Sequence, residues 1–261
     1  MKSKRKIVLA LAAVMLLGVL LTGCQKSADK NKLIVGLDDA FPPMGYRDDA
    51  GELIGFDVEL AKEVGKRLGM EVTFQPIDWT IKEQELNSGN VDCLWNGFTI
   101  TDERKETLCM SEAYMKNDQI LIVMADSGIN TPADLAGKKL ALQDGSSAAD
   151  ALEAEANKDF AESVGEVIKF DDNTKALMDL GGGGCDGVLM DSVVARFYVT
   201  EHPEYKVLDG SLAAEEYGIG FRKDDSELCK KVEGALKEMA ADGTLAEIST
   251  KWFGEDVTTI K

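Results

Sequence analysis

The sequence is poor in the residues that bind metals and nucleic acids. It has one histidine, His202, and no two of its five cysteines have the spacing of a metal-ligand pair. Its 29 lysine and arginine residues are outnumbered by 47 aspartate and glutamate residues, which gives a net charge of −18. Affinity for a phosphate backbone comes mainly from basic side chains that displace counterions. We therefore expect no nucleic-acid partner and no bound metal.

Proline, glycine and aromatic residues exclude the fibrous and disordered classes. The chain has 5 prolines, 25 glycines without a period of three, 7% aromatic residues and 44% hydrophobic residues, as in a packed globular protein. Four consecutive glycines, residues 181–184, stand between a predicted helix and a predicted strand. A phosphate-binding loop instead follows a strand and opens a helix. This order favours an ordinary turn, and we expect no cofactor.

The N-terminal apolar run is too short for a membrane-spanning helix. Residues 7–21 supply about 15 apolar residues, whereas a bilayer core needs roughly 20. The run follows four basic residues and ends in small residues: Lys2, Lys4, Arg5 and Lys6, then Leu21-Thr22-Gly23-Cys24. This pattern is typical of an export signal, with a permanent membrane span as the alternative.

The end of the apolar run resembles the lipobox of bacterial lipoproteins, in which cleavage leaves a lipid-bearing cysteine at the new N-terminus. We predict a signal peptide over residues 1–23, a lipidated (palmitoylated) Cys24 and a flexible tether over residues 24–31. Cleavage removes four positive charges and makes the exported part still more acidic. About 230 residues remain, enough for one large domain or two small ones.

The exported part retains four cysteines whose spacing identifies no pairing: Cys93, Cys109, Cys185 and Cys229. Export permits disulfides, but connectivity cannot be read from spacing. We predict buried free thiols, with a disulfide between Cys93 and Cys109 as the alternative.

Hydrophobic periodicity predicts strands that alternate with helices. Strands are predicted over residues 33–37, 72–77 and 91–95, and helices over the stretch after Asp57 and over residues 81–87. Asp57 is expected to cap the first helix and Gly69 to end it. This alternation indicates a parallel sheet flanked by helices.

The pattern restarts beyond Tyr114 and predicts a second sheet. Its strands are predicted over residues 120–125, 140–142, 167–170, 188–190 and 217–221. A short helix is expected after Thr131, as its cap, with Pro132 in its first position. Further helices are predicted after Ser146, over residues 174–180, from Ser192, and over residues 226–241 and 245–253.

A polar stretch at residues 96–104 follows the predicted strand 91–95. An arginine at this place can hold a carboxylate through two hydrogen bonds, and threonine hydroxyls and the free backbone at Gly97 add further donors and acceptors. Arg104 could equally form a surface salt bridge with Asp102 or Glu103. The stretch by itself does not decide between these readings.

Seven motifs follow the lipobox: Asp38-Asp39-Ala40-Phe41-Pro42-Pro43, Gly55-Phe56-Asp57-Val58, Thr99-Ile100-Thr101-Asp102-Glu103-Arg104, Asp134-Leu135-Ala136-Gly137-Lys138, Asp186-Gly187-Val188-Leu189-Met190-Asp191, Tyr217-Gly218-Ile219 and Lys251-Trp252-Phe253-Gly254. In this order they resemble the extracellular (family 3) solute-binding proteins of bacterial amino-acid ABC transporters, including the glutamine-binding members. The resemblance covers residues 32–254.

The resemblance implies an α/β, two-lobe fold of the type II periplasmic-binding-protein kind, with a hinge of two crossover strands. The first lobe is expected to contain residues 32–117 and 215–257, and the second lobe residues 118–214. The ligand would lie in the cleft between them.

The resemblance also assigns the two charged ends of the ligand. Arg104 matches the arginine that binds the α-carboxylate, and Thr99, two residues beyond Gly97, matches a residue that contacts both backbone ends. From the second lobe, Ser146 and Ser147 match a loop that covers the same carboxylate. Asp191 matches the carboxylate that pairs with the α-ammonium. Burial of these charges is tolerable only when they are paired and hydrogen-bonded.

Five further positions correspond to residues around the ligand side chain: Phe41, Trp79, Asp38, Asn96 and Gln143. Core packing is the alternative for the two aromatic residues, and a surface loop is the alternative for Asn96. Gln143 stands where the glutamine-binding members have a lysine, and Met190 where they have a histidine. The acidic Asp38 argues against glutamate and aspartate as ligands. Glutamine, another polar neutral amino acid, arginine and lysine all remain open.

The sequence thus predicts a non-enzymatic binding protein that delivers a polar amino acid to the permease subunits of an ABC transporter. It would be attached to the cell membrane through its N-terminal lipid and face the extracellular or periplasmic side. Two alternatives are an enzyme on the same scaffold, such as a periplasmic dehydratase, and the ligand-sensing module of a receptor. An enzyme would need a general acid in the cleft.

Overall fold

The computed structural model describes residues 31–261. The predicted signal peptide, Cys24 and all of the predicted tether except Asn31 lie outside the described residues. Within residues 31–261, no helix has both the length and the apolar character that crossing a membrane requires.

The described chain contains thirteen strands and nine α-helices. The strands are β1 (Lys32–Leu37), β2 (Ala40–Phe41), β3 (Gly45–Arg47), β4 (Leu53–Ile54), β5 (Glu71–Pro76), β6 (Cys93–Thr99), β7 (Leu108–Met110), β8 (Met115–Met124), β9 (Lys139–Gln143), β10 (Glu166–Phe170), β11 (Gly187–Asp191), β12 (Tyr205–Val207) and β13 (Ala213–Arg222). The helices are α1 (Phe56–Leu68), α2 (Lys82–Asn87), α3 (Asp102–Thr107), α4 (Ser147–Glu153), α5 (Lys158–Ser163), α6 (Asn173–Gly181), α7 (Ser192–Glu201), α8 (Ser226–Asp242) and α9 (Thr244–Phe253).

The first half of the fold is built on parallel strands, as predicted. Strand β1 lies between β5 and β6 and pairs in parallel with both. Helix α1 buries the apolar side chains of Leu60, Ala61 and Val64. Gly69 ends this helix with a φ of +65°, a left-handed conformation that glycine adopts without steric cost, so the predicted stop is confirmed.

The second half repeats the arrangement. Strand β9 lies between β10 and β11 and pairs in parallel with both, and β11 pairs antiparallel with β8. The core side chains of β9 and β11 are fully buried, as expected for a sheet covered on both faces. The short helix after Thr131 is a 3₁₀ helix over Pro132–Leu135, and Thr131 and Asp134 form its capping box.

Two ten-residue strands, β8 and β13, connect the halves. They pair antiparallel between residues 115–119 and 213–217. Beyond this segment β8 pairs with β11 and β12, whereas β13 pairs with β6 and β7. The prediction of a separate second sheet was therefore wrong, because the connecting strands also pair with each other and join all strands of both halves except β2–β4. The predicted lobe boundaries, at 117/118 and 214/215, fall inside these strands and stay predictions.

Strand β6 is longer than predicted. The sequence suggested a strand that ends at Trp95 and opens into a polar loop, but β6 extends to Thr99 and all seven of its residues are buried. The added length comes from β13, whose Tyr217 and Gly218 pair antiparallel with Thr99 and Phe98. The loop is therefore only two residues long. It ends at Thr101, whose hydroxyl accepts from the backbone N–H of Arg104 in the first turn of α3.

Asp57 does not cap helix α1, contrary to the prediction. The helix begins at Phe56 with Gly55 in the cap position. The Asp57 carboxylate is buried, and its Oδ2 accepts from the backbone N–H of Gly97 at 2.7 Å and from the Tyr114 hydroxyl at 2.9 Å. Burial raises the pKa of Asp57 to about 7. This side chain ties α1 to the middle of β6 and to the residue before β8.

The four described cysteines are free, which rules out the alternative of a Cys93–Cys109 disulfide. Cys93, Cys185 and Cys229 are buried, as predicted, whereas Cys109 is only partly buried. Burial raises the pKa of Cys185 to about 12 and that of Cys93 still further, so these thiols are poor nucleophiles.

We expect Asp57→Ala to lower the free energy of unfolding by about 2 to 4 kcal/mol, because two buried donors lose their acceptor. Urea denaturation monitored by circular dichroism measures this loss. Asp57→Asn keeps one acceptor oxygen and should recover part of it. Equal stability of the alanine variant and the wild type would contradict this structural role.

Candidate ligand-binding cleft

The structure brings all eleven predicted site residues to one cavity between the halves. Little free space is left in the cavity in this structure. Asp38, Gln143 and Asp191 stand at or just beyond the carboxyl ends of β1, β9 and β11, the usual place for ligands on such sheets. The lining residues are Asp38, Phe41, Trp79, Asn96, Gly97, Phe98, Thr99, Arg104, Gln143, Ser146, Ser147 and Asp191.

Arg104 is a buried cation rather than a surface salt-bridge residue. It is 8% exposed, and its Nη1 donates to the backbone carbonyl of Thr99 at 2.7 Å. Its guanidinium lies over the Phe98 ring, 4.2 Å from the centroid. Its one ion-pair contact among the described residues joins Nε to Glu83 Oε1 at 3.8 Å, too far for a hydrogen bond. This charge therefore lacks a close anionic partner in the described chain. Burial lowers the pKa of Arg104.

Asp191 supplies a buried carboxylate from the other half. It is 3% exposed. Its Oδ1 accepts from Asn117 Nδ2 at 2.7 Å, Gln119 Nε2 at 3.0 Å and the Tyr217 hydroxyl at 2.7 Å. Burial, with the nearby charge of Glu215 as the second cause, raises the pKa of Asp191 to about 7.

Asp38 and Gln143 meet across the cavity. Gln143 Nε2 donates to Asp38 Oδ2 at 2.7 Å, and the other carboxylate oxygen accepts from the backbone N–H of Ala40 at 2.9 Å. Burial raises the pKa of Asp38 to about 6 despite these hydrogen bonds, which lower it. Because residue 143 is a glutamine and not a lysine, the hydrogen-bond partner of Asp38 is neutral.

Aromatic residues form the walls next to Asp38. Phe41 and Trp79 are 5% and 8% exposed, and Trp79 packs edge to face on Phe98 with ring centroids 5.9 Å apart. Gly97, at a φ of +58°, leaves space for Phe41, because a Cβ there would lie 2.8 Å from the Phe41 ring. Both aromatic residues line the cavity while they pack against the core.

The Asn96 side chain is hydrogen-bonded to the backbone of Asp38. It is 2% exposed on strand β6, so the surface-loop alternative was wrong. Its Oδ1 accepts from the backbone N–H of Asp38 at 3.2 Å, and a Cβ on Gly45 would lie 2.6 Å from its Nδ2. The Asn96 amide therefore packs between these two segments of the first half.

Hydrogen bonds between the two halves close the cavity. They link residues of the predicted first lobe to residues of the predicted second lobe: Lys82 Nζ to the carbonyl of Gly145 at 2.8 Å, Thr174 Oγ1 to the carbonyl of Ala40 at 3.1 Å, Thr99 Oγ1 to Ser147 Oγ at 3.1 Å, and Gln143 to Asp38. Ser146 instead donates within its own half, from its Oγ to the carbonyl of Gln143 at 2.7 Å. The structure is therefore in a closed arrangement.

Sequence reasoning missed the residues of the connecting strands that hydrogen-bond to the cavity-lining side chains. Asn117 and Gln119 on β8 and Glu215 and Tyr217 on β13 all contact Asp191 or its hydrogen-bonding partners. Their spacing of two along each strand was visible in the sequence, because alternate residues of a strand share a face. The pairing of the two strands that brings these faces together was not.

In the described part of the chain, no group of three or more His, Cys, Asp or Glu side chains could hold a metal ion. His202 follows helix α7, stacks on Tyr198 and is not among the cavity-lining residues.

Comparison with known proteins places this geometry in a family. Residues 33–255 match the model of the bacterial extracellular solute-binding proteins, family 3. The L-cystine-binding protein TcyJ of Escherichia coli (strain K12) is 34% identical over 236 residues, which cover 89% of this chain and 86% of that protein. The arginine-binding extracellular protein ArtP of Bacillus subtilis (strain 168) is 32% identical over 244 residues, 89% and 92% of the two chains.

A solved structure shares both the fold and much of the sequence. The crystal structure of an ABC uptake transporter substrate-binding protein from Streptococcus pneumoniae with bound histidine matches with a TM-score of 0.83 and 40% identity, over 88% of this chain and 95% of that one. The two halves and their connecting strands are thus the two-lobe, type II fold of such proteins. The chain belongs to the bacterial extracellular solute-binding proteins of family 3.

Proposed function

We propose that this protein captures a polar L-amino acid in the cleft between its lobes and delivers it to the permease of an ABC transporter, without chemical change to the amino acid. The placement of Arg104 and Asp191 carries the proposal. A buried cation from one half and a buried carboxylate from the other line one cavity. An α-amino acid has one carboxylate and one ammonium group, and charges of this kind are stable in a buried site only when paired.

In this proposal Arg104 binds the α-carboxylate through both prongs of its guanidinium, and Asp191 binds the α-ammonium. Thr99 and Ser147, whose hydroxyls lie 3.1 Å apart across the cleft, contact the ligand backbone between these ends. Because the two charged ends contact different halves, the ligand stabilises the closed arrangement through contacts that the open one lacks.

We further propose that the ligand side chain carries hydrogen-bond donors, as in arginine or glutamine. It would lie between Phe41 and Trp79 and donate to Asp38, which is an acceptor with a neutral partner in Gln143. A second carboxylate at this place would meet the buried Asp38, which disfavours glutamate and aspartate. The arginine- and histidine-associated relatives support a polar ligand of this kind.

The protein would be exported and anchored to the outer face of the membrane by lipid on Cys24. The basic and apolar N-terminal pattern followed by Leu21-Thr22-Gly23-Cys24 supports this part of the proposal, together with the extracellular family to which the chain belongs. Stable attachment needs more than one acyl chain.

A thermal-shift screen against the twenty amino acids tests the proposal. The protein is denatured and refolded first, so that a copurified amino acid is removed. A ligand that binds only the folded state stabilises it by about 2.7 kcal/mol at a hundredfold excess over Kd. Absence of a shift with every amino acid would overturn the proposed function.

We expect Arg104→Ala to weaken binding of the amino acid found in that screen by at least about a hundredfold, the effect of about 3 to 5 kcal/mol for removal of one partner of a buried ion pair. Isothermal titration calorimetry measures the change. Lys105→Ala removes a positive charge from the exposed face of the same helix and should bind like the wild type. An Arg104→Ala variant with wild-type affinity would exclude Arg104 as the carboxylate partner.

We expect Asp38→Asn to weaken L-arginine binding by about 10- to 100-fold, because a charged hydrogen bond contributes about 1.5 to 3 kcal/mol. The effect on L-glutamine should be smaller, since its amide is neutral. Asp39→Asn is the matched control, because Asp39 pairs with Arg47 at the surface. Equal affinities of both variants for L-arginine would show that its side chain does not reach Asp38.

Cys24→Ser should release the protein from the membrane fraction and leave ligand affinity unchanged, because the variant loses only the lipid. Fractionation followed by immunoblotting measures the distribution. A variant that is still processed and still membrane-bound would contradict lipid attachment at Cys24.

A further inference from the structure

A second carboxylate lies beside Asp191 and contacts two residues that line the cleft, Thr99 and Ser147. Glu215 Oε2 is within hydrogen-bond distance of four donors, two on the connecting strand β8 and one from each side of the cleft: Asn117 Nδ2 at 3.1 Å, Gln119 Nε2 at 3.0 Å, Thr99 Oγ1 at 3.0 Å and Ser147 Oγ at 3.2 Å. The proposed function above gives this carboxylate no role.

The two carboxyl groups share their hydrogen-bond donors. Asn117 Nδ2 and Gln119 Nε2 each lie within 3.1 Å of both Asp191 Oδ1 and Glu215 Oε2. Oxygens that approach the same two nitrogen atoms must lie close to each other. Between Asn31 and Lys261, no lysine, arginine or histidine nitrogen forms an ion pair with either group. Two carboxylates in such a place repel, and one of them is disfavoured in its ionised form.

We propose that Asp191, next to Glu215, holds a proton when no cation lies in the cleft, and that the ammonium group of the bound amino acid displaces this proton. The inference rests on the proposed function and adds Glu215 as a second anionic partner for the ammonium group. No bond other than O–H changes: the carboxyl pair loses H⁺ to solvent, and the ammonium group keeps its three hydrogens.

The surroundings of the pair agree with this assignment. The pKa of Asp191 is raised to about 7, first by burial and second by the charge of Glu215, although hydrogen bonds from Tyr217 and Gln119 lower it. Arg104 on helix α3 is a charged group near Glu215. The charge of Glu215 partly opposes the lowering of the Arg104 pKa by burial. The other side chains in contact with the pair, on β6, β8 and α4, are neutral hydroxyls and amides. Burial and the neighbouring charge of Glu215 therefore place the proton on Asp191.

The raised pKa of Asp191, about 7, gives the direction of the pH dependence of binding. Above about pH 7 Asp191 is already ionised, so an amino acid binds with full affinity and releases no proton. Below that pH the ligand must expel the proton, and affinity falls by about tenfold for each pH unit, because one proton is exchanged per ligand.

Carbon-13 NMR of the side-chain carboxyl groups in the ligand-free protein tests the pair directly. We expect a carboxyl that titrates near pH 7 in the wild type, and a midpoint lower by about one unit or more in Glu215→Gln, since the repelling charge is gone. Glu216→Gln is the matched control. Glu216 is the next residue of the same strand, is exposed, and points to the opposite face. The same titration midpoint in Glu215→Gln and Glu216→Gln would overturn the proposal.

Calorimetry with L-arginine tests the displacement. Titrations in two buffers of different ionisation enthalpy, from pH 5.5 to 8.5, count the protons released, and arginine itself does not titrate in this range. We expect about one proton per ligand at pH 6 and none at pH 8.5 for the wild type and Glu216→Gln, with the curve displaced to lower pH in Glu215→Gln.

The outcomes separate the two proposals. Heat without proton release at pH 6 would overturn the displacement while leaving amino-acid binding intact. The thermal-shift screen, not this titration, decides whether any amino acid binds. If Glu215 had only a structural role, Glu215→Gln would be less stable than the wild type, but the pH at which half a proton is released per ligand would not change. That result would also overturn the inference.

Discussion

Charge that is buried without a close opposite charge is the constraint around which the cleft is organised. Arg104 has no carboxylate within hydrogen-bond distance in the described chain, and Asp191 has no cation. Each is held in place by neutral groups, a backbone carbonyl for the guanidinium and amides and a phenol for the carboxylate. Such groups orient a charge without neutralising it. The cleft therefore has a positive end and a negative end that a zwitterion can satisfy together.

The connecting strands β8 and β13 make this arrangement possible. Residues 115–119 and 213–217 pair with each other, and the remainder of each strand belongs to a different half. Among the side chains that alternate along the paired segment, Glu215 contacts cleft-lining residues from both sides, Thr99 and Ser147. The same strands thus join the lobes and supply polar groups to the site. A rotation of one half about these strands would separate Asp38 from Gln143 and Thr99 from Ser147.

Two further polar contacts fix strand β6, which carries four of the cavity-lining residues. Asp57 accepts from the backbone of Gly97, and Asn96 accepts from the backbone of Asp38. The sequence could not assign these partners, because Gly97 is 40 residues from Asp57 and Asp38 is 58 residues from Asn96. Burial of a carboxylate costs free energy unless it is hydrogen-bonded. The bonds of Asp57 to Gly97 and Tyr114 offset this cost and hold the backbone of β6 in place.

The sequence by itself determined the alternation of strands and helices, the stop at Gly69 and, through its motifs, the residues around the cleft. These features depend on local periodicity, on the left-handed conformation of glycine, or on short segments that keep their residue types together. Only the tertiary structure decided the length of β6, the role of Asp57, the union of the two sheets and the presence of Glu215 beside Asp191. Each of these depends on pairing between segments far apart in the chain: β13 extends β6, and β8 and β13 bring two carboxylates to shared donors. Such pairing is set by packing of the whole fold, and no local pattern of residues encodes it.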